Sequence, residues 1–133
     1  MGWIRIVAVA LASVVLAVAL GACRGQQAVP EPNHDQAVSL HLPNPKDLET
    51  IFLIEDALEK TLDGSEAGSL DGNAIGPDDA VIHLYGPNAD LLWSTIEPTL
   101  RTLENPPGSY VVKRYGAAGA REERVPMPQA IQR

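Results

Sequence analysis

The sequence predicts an α+β domain, one antiparallel sheet carrying two helices on a single face. Three observations predict it. The stretches 37–42 and 79–85 alternate apolar and polar residues with period two. The longer stretches 47–62 and 88–103 repeat their apolar residues at helical spacing. Their order along the chain is strand, helix, weak strand, strand, helix, strand, with an optional last strand.

Each element has a local reason. Val38, Leu40 and Leu42 fall on one side of the first strand, Ser39 and His41 on the other, and Pro43-Asn44-Pro45 stops it. Leu48, Ile51, Phe52, Ala57, Leu58 and Leu62 mark the first helix, which Asp63-Gly64 ends because glycine best tolerates the left-handed turn. A short strand is expected around 68–71, followed by a turn-rich link from Asp71-Gly72-Asn73 through Gly76-Pro77-Asp78. In the next strand Ala80, Ile82 and Leu84 oppose Val81, His83 and Tyr85.

Asn88 or its neighbour then caps a second helix, with Asp90 in the first turn where the helix dipole favours an acid. Leu92, Ile96, Leu100 and Leu103 form its stripe, and Pro98 is expected to kink it. Pro106-Pro107-Gly108 closes the helix, 109–115 forms a further strand, and 121–125 hairpins back across Gly116-Ala117-Ala118-Gly119.

This order is that of a ferredoxin-like β-α-β-β-α-β sandwich. It makes 37–42 and 79–85 the central antiparallel neighbours of the sheet. Their apolar sides must face the helices, so His41, His83 and Tyr85 share the open face. The 109–115 strand adds Val111, Lys113 and Tyr115 or, in the other parity, Tyr110, Val112 and Arg114. The candidate interaction face is therefore His41, His83, Tyr85, Lys113 and Tyr115, with the second parity left open. Imidazoles, tyrosines and a cation on an uncovered sheet suit a ligand or partner; simple sheet covering is the competing account.

The 133 residues carry a net charge of −7. From 31 to 104 there are fifteen acids against Lys46, Lys60 and Arg101, whereas 105–133 holds Lys113, Arg114, Arg121, Arg124 and Arg133 against Glu122 and Glu123. The simplest account of this asymmetry is that the two parts are neighbours in the fold and partly neutralise each other. Net negative charge argues against nucleic-acid backbones and anionic lipid head groups as partners and favours cationic ones.

The start of the chain reads as a leader. Met1 to Arg5 is short and positively charged, Ile6 to Leu20 is apolar apart from Ser13, and Leu20-Gly21-Ala22 approaches Cys23, the single cysteine. As a helix the apolar segment spans roughly 22 Å, short of the roughly 30 Å of bilayer hydrocarbon. Leu20-Gly21-Ala22-Cys23 resembles the lipobox of bacterial lipoproteins. The resemblance implies a diacylglyceryl group on the Cys23 thiol, cleavage before that residue, and acylation of the new amino terminus. Removing Arg5 with the leader leaves nine bases against 17 acids, a mature charge of −8.

Two acyl chains hold a membrane stably where one does so marginally, at about 0.8 kcal/mol per buried methylene. The alternatives for Cys23 are weaker. One cysteine forms no internal disulfide, and an exposed lone thiol is a liability in an oxidising compartment. An uncleaved membrane helix with Cys23 buried is the other alternative. The resemblance further implies a cell-envelope address, lipid-anchored, with Arg24 leaning toward outer-membrane sorting in a host with two membranes. The chain thus divides into a signal peptide (1–22), the lipidated cysteine and a flexible linker (23–36), one α+β domain (37–127) and a disordered tail (128–133).

Catalytic signatures are not found. There is no G-x-S-x-G elbow, no glycine-rich phosphate loop and no H-E-x-x-H pair. Glu55-Asp56 and Glu122-Glu123 are adjacent acids, which diverge on a helix and point to opposite faces of a strand. No cofactor is expected. His41 and His83 lack a third zinc ligand of suitable spacing, His34 lying in the linker. Asp71, Asn73, Asp78 and Asp79 lack the ligand spacing and closing glutamate of a calcium hand.

The patches Asp71-Gly72-Asn73, Leu84-Tyr85-Gly86-Pro87-Asn88-Ala89-Asp90 and Arg114-Tyr115-Gly116 resemble small bacterial α+β domains without assigned activity, a likeness that transfers no catalytic residue. Two functions follow. The first is a membrane-anchored, non-enzymatic binding module that contacts an envelope protein through the open sheet face. The second is a small-ligand carrier or enzyme with an unrecognised site on that face.

Overall fold

The computed structural model describes residues 35–130, Lys46 excepted. The expected signal peptide, the Leu20 to Cys23 motif, almost all of the expected linker, His34 and the last three residues lie outside the described residues. The elements are β1 (Gln36–Pro43), α1 (Leu48–Leu62), β2 (Ser69–Ile75), β3 (Asp79–Gly86), α2 (Ala89–Leu100), β4 (Tyr110–Arg114) and β5 (Glu122–Pro126). Five strands form one antiparallel sheet in the order β2-β3-β1-β4-β5, giving an α+β architecture with two helices. It differs from the four-stranded expectation at one edge, where the optional 121–125 hairpin is a full strand paired outside β4.

β1 is the middle strand, and its alternation decides which face is buried. Leu40 stands opposite Ile82 on one side and Val111 on the other, and all three are fully buried. Val38, Leu42, Ala80 and Leu84 share that face and join Ile51, Ile54, Leu58 and Leu62 of α1 and Leu92, Ile96 and Leu100 of α2 in one core. Both helices therefore cover the same side of the sheet. Burying a leucine or isoleucine side chain contributes about 1.5–3 kcal/mol, which is why the period-two stretches hold their register.

Three expectations are corrected. The turn-rich link at Asp71-Gly72-Asn73 is instead part of β2, which runs to Ile75. A bulge between Leu70 and Gly72, with Gly72 at φ +145°, passes the odd residue Asp71 without ending the pairing to β3. In α1, Leu48 and Phe52 are half-exposed and Ile54 takes the inward place. The helix expected to reach Leu103 stops at Leu100, two residues beyond Pro98, whose nitrogen has no proton for the preceding turn.

Both helices are capped by a side chain, α2 at the expected Asn88 and α1 at Asp47. Asp47 accepts hydrogen bonds from the Thr50 backbone and hydroxyl, both at 2.8 Å, and Asn88 accepts one from the Leu91 N–H at 2.9 Å. Gln36, the first residue of β1, accepts from the Ala89 N–H at 2.8 Å, tying the sheet to the start of α2. The chain comes very close to itself at Gly68 and Gly86. A Cβ on Gly68 would lie 2.3 Å from the Tyr85 carbonyl oxygen, and one on Gly86 2.2 Å from that of Ala67.

Candidate functional site

The helices leave the other side of the sheet without a covering element among the described residues, and the register places its side chains in rows. One row crosses Ser69, Tyr85, Ala37, Arg114 and Glu122. The next crosses Gly72, His83, Ser39, Val112 and Arg124, and a third Ala74, Val81, His41, Tyr110 and Pro126. Directly paired residues point to the same face, so these rows are the open surface.

Two ring-centred units stand on it. The His41 and Tyr110 rings are nearly parallel, 5° apart with centroids separated by 4.6 Å. The Arg124 guanidinium lies 3.4 Å from the Tyr110 centroid. At those distances His41 and Arg124 must occupy opposite sides of the tyrosine ring. In the second unit the Arg114 guanidinium is 5.9 Å from the Tyr85 centroid. Ala37 stands between these two residues in the row, and they close over it, which accounts for its burial on an otherwise half-exposed surface. Between the units the Ser39 hydroxyl and His83 Nδ1 share a hydrogen bond at 3.3 Å.

The electrostatics of the face follow from this packing. Burial holds the His41 pKa below its ordinary value, and the neighbouring His83 and Arg124 push the same way against Asp79 and Glu122. His41 is thus a neutral stacking surface near neutral pH. Arg114 and Arg124 make no ion pair among the described residues. Lys60, Glu49, Glu55, Asp56 and Glu59 all lie on α1, so the acidic excess sits on the helical side and the unpaired arginines on the sheet side. The basic end of the chain therefore neutralises its surroundings only in part.

His41, His83 and Tyr85 are brought together as expected, and Lys113 and Tyr115 are not among them. β4 adopts the second parity, placing Tyr110, Val112 and Arg114 on the open face. Lys113 lies opposite Val38 and Glu123 on the helical side and is only 7% exposed. Its ammonium is 2.8 Å from Asp90 Oδ1 and 3.3 Å from Glu123 Oε2. The Tyr115 hydroxyl can donate to the same two carboxylates, at 2.8 and 2.7 Å. The hydrogen bond to Asp90 is the main reason that the Lys113 pKa is raised, and Asp90 and Glu123 are both held below the usual carboxylate range. This cluster clamps β4 and β5 to α2.

Sequence reasoning undervalued Tyr110, Arg114 and Arg124. A signal existed in the hairpin: pairing Val111 with Val125 automatically pairs Lys113 with Glu123 and turns the arginines outward. Among the described residues no group of three or more metal-ligating side chains gathers, and His41 and His83 have no third companion. Asp71, Asn73, Asp78 and Asp79 are spread between β2 and the start of β3, and Asn73 donates to Glu55 at 2.8 Å. No family model matches the chain, and no curated protein or solved structure shows significant similarity to it.

Proposed function

We propose that this chain is a lipid-anchored binding module of the bacterial cell envelope, tethered through Cys23 and working by non-covalent contact through its open sheet face. The observation that carries the reading is the stack of His41 on Tyr110 together with Tyr85 and its neighbouring Arg114 cation, all standing half-exposed on a surface that neither helix covers. Flat, amphipathic rings held in place by neighbours lose little freedom on binding, which is what a contact surface needs.

The fold supporting that surface is read as a ferredoxin-like sandwich extended by one strand. The order β2-β3-β1-β4 and the two helices on one side support this, with β5 added outside β4. The Leu20-Gly21-Ala22-Cys23 motif supports the anchor, and the polar stretch from Arg24 to Gln36 supports a spacer between lipid and domain. Arg24 supports outer-membrane sorting in a host with two membranes.

The test is capture of a defined envelope protein by wild type and by His83→Ala/Tyr85→Ala, with intact mass of the mature protein measured alongside. The account expects a diacylglyceryl adduct on Cys23 and a captured protein that disappears with the double substitution. An unmodified thiol contradicts the anchor, and unchanged capture contradicts the surface.

A further inference from the structure

We infer that the open sheet face is a receptor for an acidic, extended segment of a partner protein, whose carboxylates pair with Arg114 and Arg124. The inference rests on the reading of that face as the contact surface and names the chemistry it takes. In a chain of net charge −7, these two guanidinium groups stand on the sheet side without a carboxylate partner among the described residues. Glu122 stands directly across from Arg114 and beside Arg124 in the register, yet pairs with neither. Asp79 and Glu122 share this face without an ion pair to either arginine, and the paired acids Asp90 and Glu123 lie on the other side, where they hold Lys113.

The side chains are also set in place. Arg124 lies flat on Tyr110, which is backed by His41, and Arg114 leans over Ala37 toward Tyr85 while its Nε donates to the Gly116 carbonyl at 2.9 Å. Stacking uses the face of the Arg124 guanidinium and leaves its edges free for the bidentate bonds that carboxylates accept, while Arg114, its Nε engaged by Gly116, keeps its terminal nitrogens for a carboxylate. Holding them so removes part of the entropy that an exposed arginine otherwise loses on binding.

Spacing selects the shape of the ligand. Arg114 and Arg124 are diagonal neighbours on adjacent antiparallel strands, with backbone positions about 7–8 Å apart. Their guanidinium groups lean further apart along the sheet, one toward Tyr85 and the other onto Tyr110. Acids two positions apart on an extended chain are separated by about 6.6–6.8 Å and point the same way. A segment with glutamates or aspartates at alternate positions therefore meets both arginines at once. The intervening apolar residues face away from the sheet.

Fluorescence polarisation with the soluble domain tests this, using a labelled peptide of alternating Glu and Val, its Gln and Val counterpart, and a labelled oligodeoxynucleotide. Saturable binding of the Glu peptide is expected, at least tenfold weaker binding of the Gln peptide, and affinity that falls as salt rises. Arg124→Gln, at an exposed site, should weaken the Glu peptide about tenfold, Arg114→Gln/Arg124→Gln should abolish binding, and Lys60→Gln on α1 should leave it unchanged; a thermal melt of each variant shows that the fold persists. No saturable binding of the Glu peptide, equal affinity for the two peptides, indifference to Arg124→Gln, or tighter binding of the oligonucleotide would overturn the inference. If those results came with capture still lost in His83→Ala/Tyr85→Ala, the contact surface would stand and only its acidic ligand would fall. Unchanged capture would remove the surface itself.

Discussion

Lys113 Nζ lies 2.8 Å from Asp90 Oδ1, so a cation from the sheet is held against an acid in the first turn of α2. The arrangement satisfies a nearly buried ammonium and sets a favourable negative charge at the helix start. It also makes stability depend on pH at both ends of the scale.

On the acid side, the hydrogen bonds from Lys113 and Tyr115 lower the pKa of Asp90, and those from Tyr115 and Lys113 lower that of Glu123. Depressed carboxylates contribute stability that is present above their unfolded values, 3.8 and 4.5, and is lost as pH falls through the folded ones. Thermal melts should therefore drop below about pH 4.5. Asp90→Asn should flatten that drop relative to wild type, and an unchanged profile contradicts the pairing.

The alkaline side runs the other way. Lys113 beside it draws the Tyr115 pKa down, but burial and the hydrogen bonds to Glu123 and Asp90 prevail and raise it. Lys113 is raised as well. Raised groups stabilise fully below their unfolded values, 10.0 and 10.5, and lose that contribution as pH climbs past them. Tyr115→Phe should be less stable at neutral pH and lose less between pH 9 and 11, as read by urea titration.

His41 gives a third pH signature. Its depressed pKa means that its contribution is present above the ordinary 6.5 and is lost as pH falls through the folded value. The charged groups facing it are Asp79 and His83 on β3 and Arg124 and Glu122 on β5. His41→Gln should remove the part of the stability loss that falls just below pH 6.5. Histidine ring resonances followed by NMR should show His41 titrating below 6.5, and titration above that value would contradict the stacked geometry.

Gly68 and Gly86 hold the loop before β2 against the end of β3. A methyl group at either position meets a backbone carbonyl at 2.2–2.3 Å, and Gly68 also sits at φ +151°. Gly86→Ala and Gly68→Ala should each destabilise by about 2–3 kcal/mol, within the range of backbone-incompatible substitutions. Gly64→Ala serves as the comparison, since its Cβ meets nothing within 4 Å and its cost is only that of the φ +70° backbone. Equal melting points for all three would refute the close approach.

Leu40→Ala removes a fully buried side chain from the central strand between Ile82 and Val111. A loss of about 2–5 kcal/mol is expected from denaturant unfolding. Phe52→Ala, at a half-exposed position on α1, should cost well under half as much.

Much of this architecture was legible because burial imposes periods. β1 and β3 announce themselves through Val38, Leu40, Leu42, Ile82 and Leu84, which have one buried side each, and the capping residue Asn88 marks the start of α2. β2 was half hidden since its pattern Ser69-Leu70-Asp71-Gly72-Asn73 reads as a turn; an edge strand with a bulge buries little and so leaves little periodicity. The parity of β4 was ambiguous for a chemical reason. Val111 and Val112 are equally apolar, and Lys113 is buried only because Asp90 and Glu123, distant in sequence, meet it. His41, His83 and Tyr85 were placed on the open face by alternation alone, whereas the Tyr110 and Arg124 stack depends on which way β4 turns.

The most direct test of the account is NMR mapping of the domain titrated with an envelope protein recovered by the proposed capture experiment. Shifts concentrated on Ser39, His41, His83, Tyr85, Tyr110 and Val112, with the outer faces of α1 and α2 silent, are the predicted result. Perturbations centred on the helices, with the rings of His41 and Tyr110 unmoved, would contradict it.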